Sequence, residues 1–113
     1  MNEKDFFTFL DTRKQAVLDE VKSLTDDGRK DEANILKAKS NVYDICKAIY
    51  NATAKAAATD IVTAFPAAFD KVICPWKASL EAAKTHGDAR KTLIEEAKLS
   101  AVSEINAKFA ELA

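Results

Sequence analysis

The chain has 113 residues, 48% of them hydrophobic and 31% charged, with 17 basic against 18 acidic side chains. A chain of that length folds as one domain and can bury a core. Its two charge signs are mixed throughout and give no domain-scale basic field to attract nucleic acid. Two glycines and two prolines leave room for very few turns, which excludes a β-sandwich and points to a few long helices.

The first helix is expected from about Glu3 to Leu24, capped by Asn2 and opened by acidic residues. Its apolar line is Phe6, Leu10, Val17, Val21 and Leu24, widened by Phe7, Phe9 and Leu18. Arg13 and Lys14 interrupt that line, and their stems are expected along the core edge with the charges in water. Thr25-Asp26-Asp27-Gly28 is the first punctuation. Gly28 suits a left-handed helix terminus, and Asp26 or Asp27 suits the cap of the next helix.

The second helix is expected from about Arg29 to Ala57, roughly 40 Å at about 1.5 Å per residue. It carries the pairs Ile35-Leu36, Val42-Tyr43 and Ile49-Tyr50 at heptad spacing, with Ala38, Ile45-Cys46 and Ala52-Thr53 between them. Doubled pairs widen the apolar face to nearly half the helix surface. Such a helix must be covered from two directions, by its own bundle or by a second molecule. The run Ala52 to Ala58 is poor in large side chains, which suits either a close helix approach or a helix losing its packing partners.

Both prolines fall in the third segment. Thr59-Asp60 suits the cap of a new helix, and Pro66 fits the first turn of one capped at Thr63 or kinks one begun at Thr59. Pro75 removes a hydrogen bond and clashes with the preceding turn, costing about 3 kcal/mol, so a kink or split is expected there. The apolar line nonetheless continues through Phe65, Phe69, Val72-Ile73, Trp76, Leu80 and Ala83. His86-Gly87-Asp88 ends this segment and caps the last helix, which runs to about Leu112. That helix is expected to face inward with Leu93 or Ile94, Ala97, Ala101, Ile105, Phe109 and Leu112. Laying Gly28 on Gly87 sets Phe6 over Phe65, Leu10 over Phe69 and Val17 over Trp76. The expected fold is therefore all-α: a compact antiparallel four-helix bundle built from two αα-hairpins, with the second helix central.

Motifs for chemistry are scarce. The single histidine, His86, rules out the paired-histidine metal motifs of helical proteins. Glu95-Glu96 and Asp31-Glu32 are adjacent pairs whose side chains diverge by about 100°, and each is expected as a solvated face. Cys46 falls on an apolar helix face and Cys74 stands apart from it, with no paired-cysteine motif. No phosphate-binding glycine loop or acyl-transfer serine motif occurs. The sequence predicts no catalytic residue, no metal site and no cofactor. Its opening residues lack a secretory pattern, and no apolar run approaches the roughly 20 residues that span a bilayer. A reduced, cytoplasmic protein with no membrane or nucleic-acid partner is expected.

The functional expectation is a non-catalytic module for protein–protein interaction or self-association, forming a homodimer or holding a partner helix. Its partner-binding residues would be Leu36, Tyr43 and Tyr50, beside the Ile35–Val42–Ile49 stripe, a spacing suited to helix-in-groove contacts. In the competing arrangement the other three helices cover this face and the protein is a monomer. The alternative function is a small-molecule-binding bundle whose apolar cavity is lined by Phe65, Phe69, Trp76 and the tyrosines.

Overall fold

Four α-helices fold the chain: α1 (Glu3–Asp26), α2 (Lys30–Ala56), α3 (Ile61–Thr85) and α4 (Ala89–Leu112). The structure, a computed structural model, describes residues 1–56 and 60–113, and no strand occurs among them. Ala57, Ala58 and Thr59 lie outside the described residues. They include the expected last residue of the second helix, the end of the small-residue run and one expected cap of the third helix.

The helix ends follow from local chemistry. Asn2 accepts the Asp5 N–H at 3.1 Å, and Asp88 accepts the Lys91 N–H at 3.1 Å, so each satisfies a donor that its helix would otherwise leave free. Gly28 and Gly87 adopt φ of +77° and +67°. Gly28 donates to the Thr25 carbonyl and Arg29 to the Leu24 carbonyl, and Gly87 and Asp88 donate likewise to Lys84 and Ala83. Both turns are thus Schellman closures. Asp26 is the last residue of α1 and Asp27 its C-terminal cap, so the first hairpin begins α2 without either aspartate.

A Cβ at Gly28 or Gly87 would meet nothing within 4 Å, so an alanine there suffers from the backbone alone. Gly28→Ala and Gly87→Ala should each lose about 1 kcal/mol. Thermal melts should show each as a fall in Tm of about 4–6 °C.

The third helix is one unit from Ile61 to Thr85, with Pro66 and Pro75 inside it. It is not split at Pro75, and the reason is exposure. Lys71, Cys74 and Pro75 all lie on the solvent face, where water can take up the Lys71 carbonyl that the proline leaves without a donor. The helix begins at Ile61, which places Pro66 in its second turn, again on the exposed side.

The second helix touches all three others, and α4 does the same. Backbones of α2 and α4 meet across the short diagonal, while those of α1 and α3 stand apart. The molecule is accordingly flattened, 46 × 32 × 21 Å. Both glycine turns lie at one end, and the chain termini lie at the other.

The core is thickest at the terminal end. There Phe65 meets a ring from every helix: Phe6 at 5.8 Å, Tyr50 at 5.6 Å, Phe69 at 5.3 Å and Phe109 at 4.7 Å between centroids. Phe6 and Phe65 are the corresponding positions of the two hairpins, so the hairpins join through equivalent residues. Toward the turns the buried apolar residues shrink to Val21, Ala33 and Ala83. Where the sequence left a choice of inward residue, Ile73 is buried and Val72 exposed, while Ile94 is half-buried and Leu93 exposed.

Candidate partner-binding groove

The three residues expected to bind a partner go to different places. Tyr43 is 1% exposed, and Tyr50 is also buried. Both lie in the main core, because α1, α3 and α4 together cover that part of α2. Leu36 belongs to the same stripe one heptad earlier and is only half-buried. The difference is positional. Leu36 lies near the turns, where the buried apolar residues are small, Ala33 and Ala83 among them.

At that end lies a groove of about 700 Å³ open to solvent. Leu24 of α1, Ile35 and Leu36 of α2, and Leu93 of α4 form its apolar surface. Leu93 is 51% exposed, the most exposed of the large apolar side chains. The rim carries Asp19, Glu20, Asp27 and Glu32, with Arg29 the one cation among them. Arg29 is bound by Glu32 through two hydrogen bonds. Among the described residues, Asp19, Glu20 and Asp27 make no ion pair. Sequence reading placed Leu24 in the core line and offered Leu93 as an inward residue. It gave Asp27 turn chemistry and Glu32 a solvated face and left Asp19 and Glu20 without a role, because periodicity cannot show which end of an apolar stripe lacks cover.

A second polar feature lies at mid-bundle. Glu104 of α4 accepts from Arg13 Nε at 2.7 Å and from the Tyr43 hydroxyl at 3.2 Å, both on Oε1. Lys39 Nζ stands 3.0 Å from its Oε2. Burial pushes the Glu104 carboxyl up, but the hydrogen bonds from Lys39 and Arg13 outweigh it and hold the group below the usual glutamate range. The Tyr43 phenol is pushed up to about 12, by burial first and then by the Glu104 charge. Arg13 therefore spans the bundle to Glu104, and Lys14 pairs with Asp44 at 2.9 Å. Both charges interrupting the α1 apolar line are used in pairing between helices. This cluster ties α1, α2 and α4 together and saturates its own carboxylate, which suits a structural clamp better than a reactive site.

The remaining chemistry-bearing residues stand alone. Cys46 is buried and its thiol is pushed up to about 12 by burial, which makes it unreactive. Cys74 and His86 are exposed on α3 and at its C-terminal cap. Glu95, expected on a solvated face, is only 7% exposed. Its Oε1 lies 3.3 Å from Lys98 Nζ, and Oε2 has no partner among the described residues. Lys98 also sits 4.3 Å over the Trp76 ring. Phe65 fills the ring cluster, and Phe69, stacked on it, also edges a groove of about 540 Å³ between α3 and α4, with Ile73 and Phe109. Phe65, Phe69 and the two tyrosines belong to one packed core, with Trp76 against it at the edge. Among the described residues, no three His, Cys, Asp or Glu side chains are grouped to hold a metal ion. No described helix is long and apolar enough to cross a membrane. No protein-family model, curated protein or solved structure matches this chain.

Proposed function

We propose that this protein is a non-catalytic interaction module of the cytoplasm, which holds a helix of another protein in the groove between α1, α2 and the start of α4. The open groove carries this reading. It presents Leu24, Leu36 and Leu93 to solvent at the end of the bundle where the core thins. Its volume falls within the range of sites that bury a ligand, and two α-helices side by side form a natural cradle for a third. The two free thiols, Cys46 and Cys74, suit a reducing compartment.

Self-association is the less favoured use of this surface. A two-fold contact pairs a patch with itself, and here it would bring two acidic rims, each with Asp19, Glu20 and Asp27 unpaired, into one interface. Light scattering across a concentration series should give a monomer of 12.4 kDa.

The docking reading is tested by titrating the labelled protein with amphipathic helical peptides of basic, neutral and acidic polar faces. Amide shifts should cluster at residues 19–36 and around Leu93, and Leu93→Ser should weaken whichever peptide binds. If no peptide of the three classes moves those resonances, the groove is not a docking site.

A further inference from the structure

The groove is asymmetric in charge. Four carboxylates face one guanidinium on its rim, and that guanidinium is already occupied by Glu32. The α1 end adds to this field. The final turn of α1 contains no basic residue, so nothing on that turn offsets the partial negative charge of the helix C-terminus. Asp26 and Asp27 sit at that same end. Acids elsewhere on the surface are of both kinds: Asp11, Asp44, Asp70, Glu81 and Glu111 each have a lysine within 4.0 Å, whereas Glu3, Asp5, Asp31 and Glu96 make no ion pair among the described residues and do not line this groove. What distinguishes the groove is that its unpaired carboxylates border an exposed apolar floor.

We infer that the occupant of the groove is a short basic amphipathic helix of a partner protein, its aliphatic side chains seated on Leu24, Leu36 and Leu93 and its lysines or arginines set against the acidic rim. This rests on the docking reading above and adds the chemistry of the partner. The spacing suits such a segment. Glu20 and Asp27 stand seven residues apart along α1, which is about 10.5 Å of helical rise. Cations seven residues apart on a helix laid along α1 have that same separation. Aliphatic residues three and four positions apart between them then face the leucine floor. An acidic helix would place like charges together around an apolar contact, and a neutral one would leave the rim without counter-charge.

The test uses a peptide of about 14 residues, some four turns of helix, with leucines on one face and lysines on its flanks. Three relatives serve as comparison: one with glutamine for lysine, one with glutamate for lysine, and a scramble of the basic peptide that destroys its amphipathic face. Binding is read by fluorescence anisotropy at low and high salt, with amide shifts to locate it. The basic peptide should bind at least about tenfold more tightly than the glutamine version, and its affinity should fall as salt is raised. The combined variant Asp19→Asn, Glu20→Gln and Asp27→Asn should weaken it about tenfold. A matched variant away from the groove (Asp70→Asn, Glu81→Gln and Glu111→Gln) should leave it unchanged.

Equal binding of the basic and glutamine peptides in the groove would overturn the basic class while leaving the docking surface standing. Equal binding of the scramble, or an equal loss in the distal variant, would show bulk charge attraction and overturn the proposal. Silence of the groove to all four peptides would remove the docking reading and this inference together. Because the rim carboxylates are exposed, their neutral replacements should not unfold the protein, and circular dichroism on the same samples establishes that.

Discussion

Phe65→Ala should lower the unfolding free energy by about 3–5 kcal/mol, a large share of the roughly 5–15 kcal/mol that a domain possesses. The ring is fully buried and contacts a ring from each of the other helices as well as Phe69 of its own. Its removal takes away the group on which both hairpins converge and leaves a phenyl-sized void. The four surrounding rings are themselves large and interlocked, so little of that void can close. Urea denaturation should show the midpoint falling by about 2 M. Leu93→Ser removes an exposed leucine and should stay within about 0.5 kcal/mol of wild type. If Phe65→Ala cost less than about 1 kcal/mol, the ring cluster would not be the closely packed centre of the fold.

Glu104→Ala should cost about 2 kcal/mol, mostly through what it leaves behind. The Tyr43 hydroxyl loses its acceptor inside the bundle, and Arg13 and Lys39 remain near each other with no carboxylate between them. The effect stays below that of breaking a fully buried pair, because Glu104 and Arg13 are each about one-third exposed, at 30% and 36% of the side chain. The pH dependence follows from the direction of the shift. Glu104 titrates lower in the folded protein than in the unfolded chain. Its contribution is therefore complete above the unfolded value of about 4.3 and is lost as pH falls through the folded value. Wild type and Glu104→Ala should differ most near neutrality and converge in acid. Parallel denaturation curves from pH 7 down to about pH 3 check this, and a constant gap would mean that the carboxylate charge is not what holds the clamp.

The alkaline limb has the opposite sign. Tyr43 and Cys46 are both raised to about 12 in the folded protein. Their neutral forms support folding below the unfolded values of about 10 and 8.5, and that support fades as pH climbs toward the folded ones.

The start of α1 and the two glycine turns were legible in the sequence because they rest on short-range chemistry, whereas the first turn of α3 was left open between two starts and lies between them, at Ile61. Asn2, Gly28, Gly87 and Asp88 act as caps and terminators through contacts within a few residues of themselves. The central role of α2 was legible as well, since a face as wide as its paired heptads needs neighbours on several sides. Pro75 was harder to place. Its cost depends on whether the orphaned carbonyl faces water or the core, and only the packed bundle turned that face outward. Glu95 shows the converse. Read alone it is one of two adjacent acids, yet the close approach of the neighbouring helices buries it while Glu96 stays exposed.

The candidate site divides along the same line. By itself the sequence determined four amphipathic helices, two glycine-closed turns and an apolar stripe through Ile35-Leu36, Val42-Tyr43 and Ile49-Tyr50. Every step of that stripe looks alike in one dimension, because periodicity records which face a residue occupies and not what stands opposite. The tertiary structure decided the rest by setting large rings against Tyr50 and leaving only small buried side chains toward the turns, where Leu36 lies. Tyr43 and Tyr50 became core, and Leu36 joined Leu24 and Leu93 in an open groove beneath an acidic rim. Burial depends on the size of the side chains that meet across helices, and that size is fixed only when residues distant in sequence are brought to the same layer.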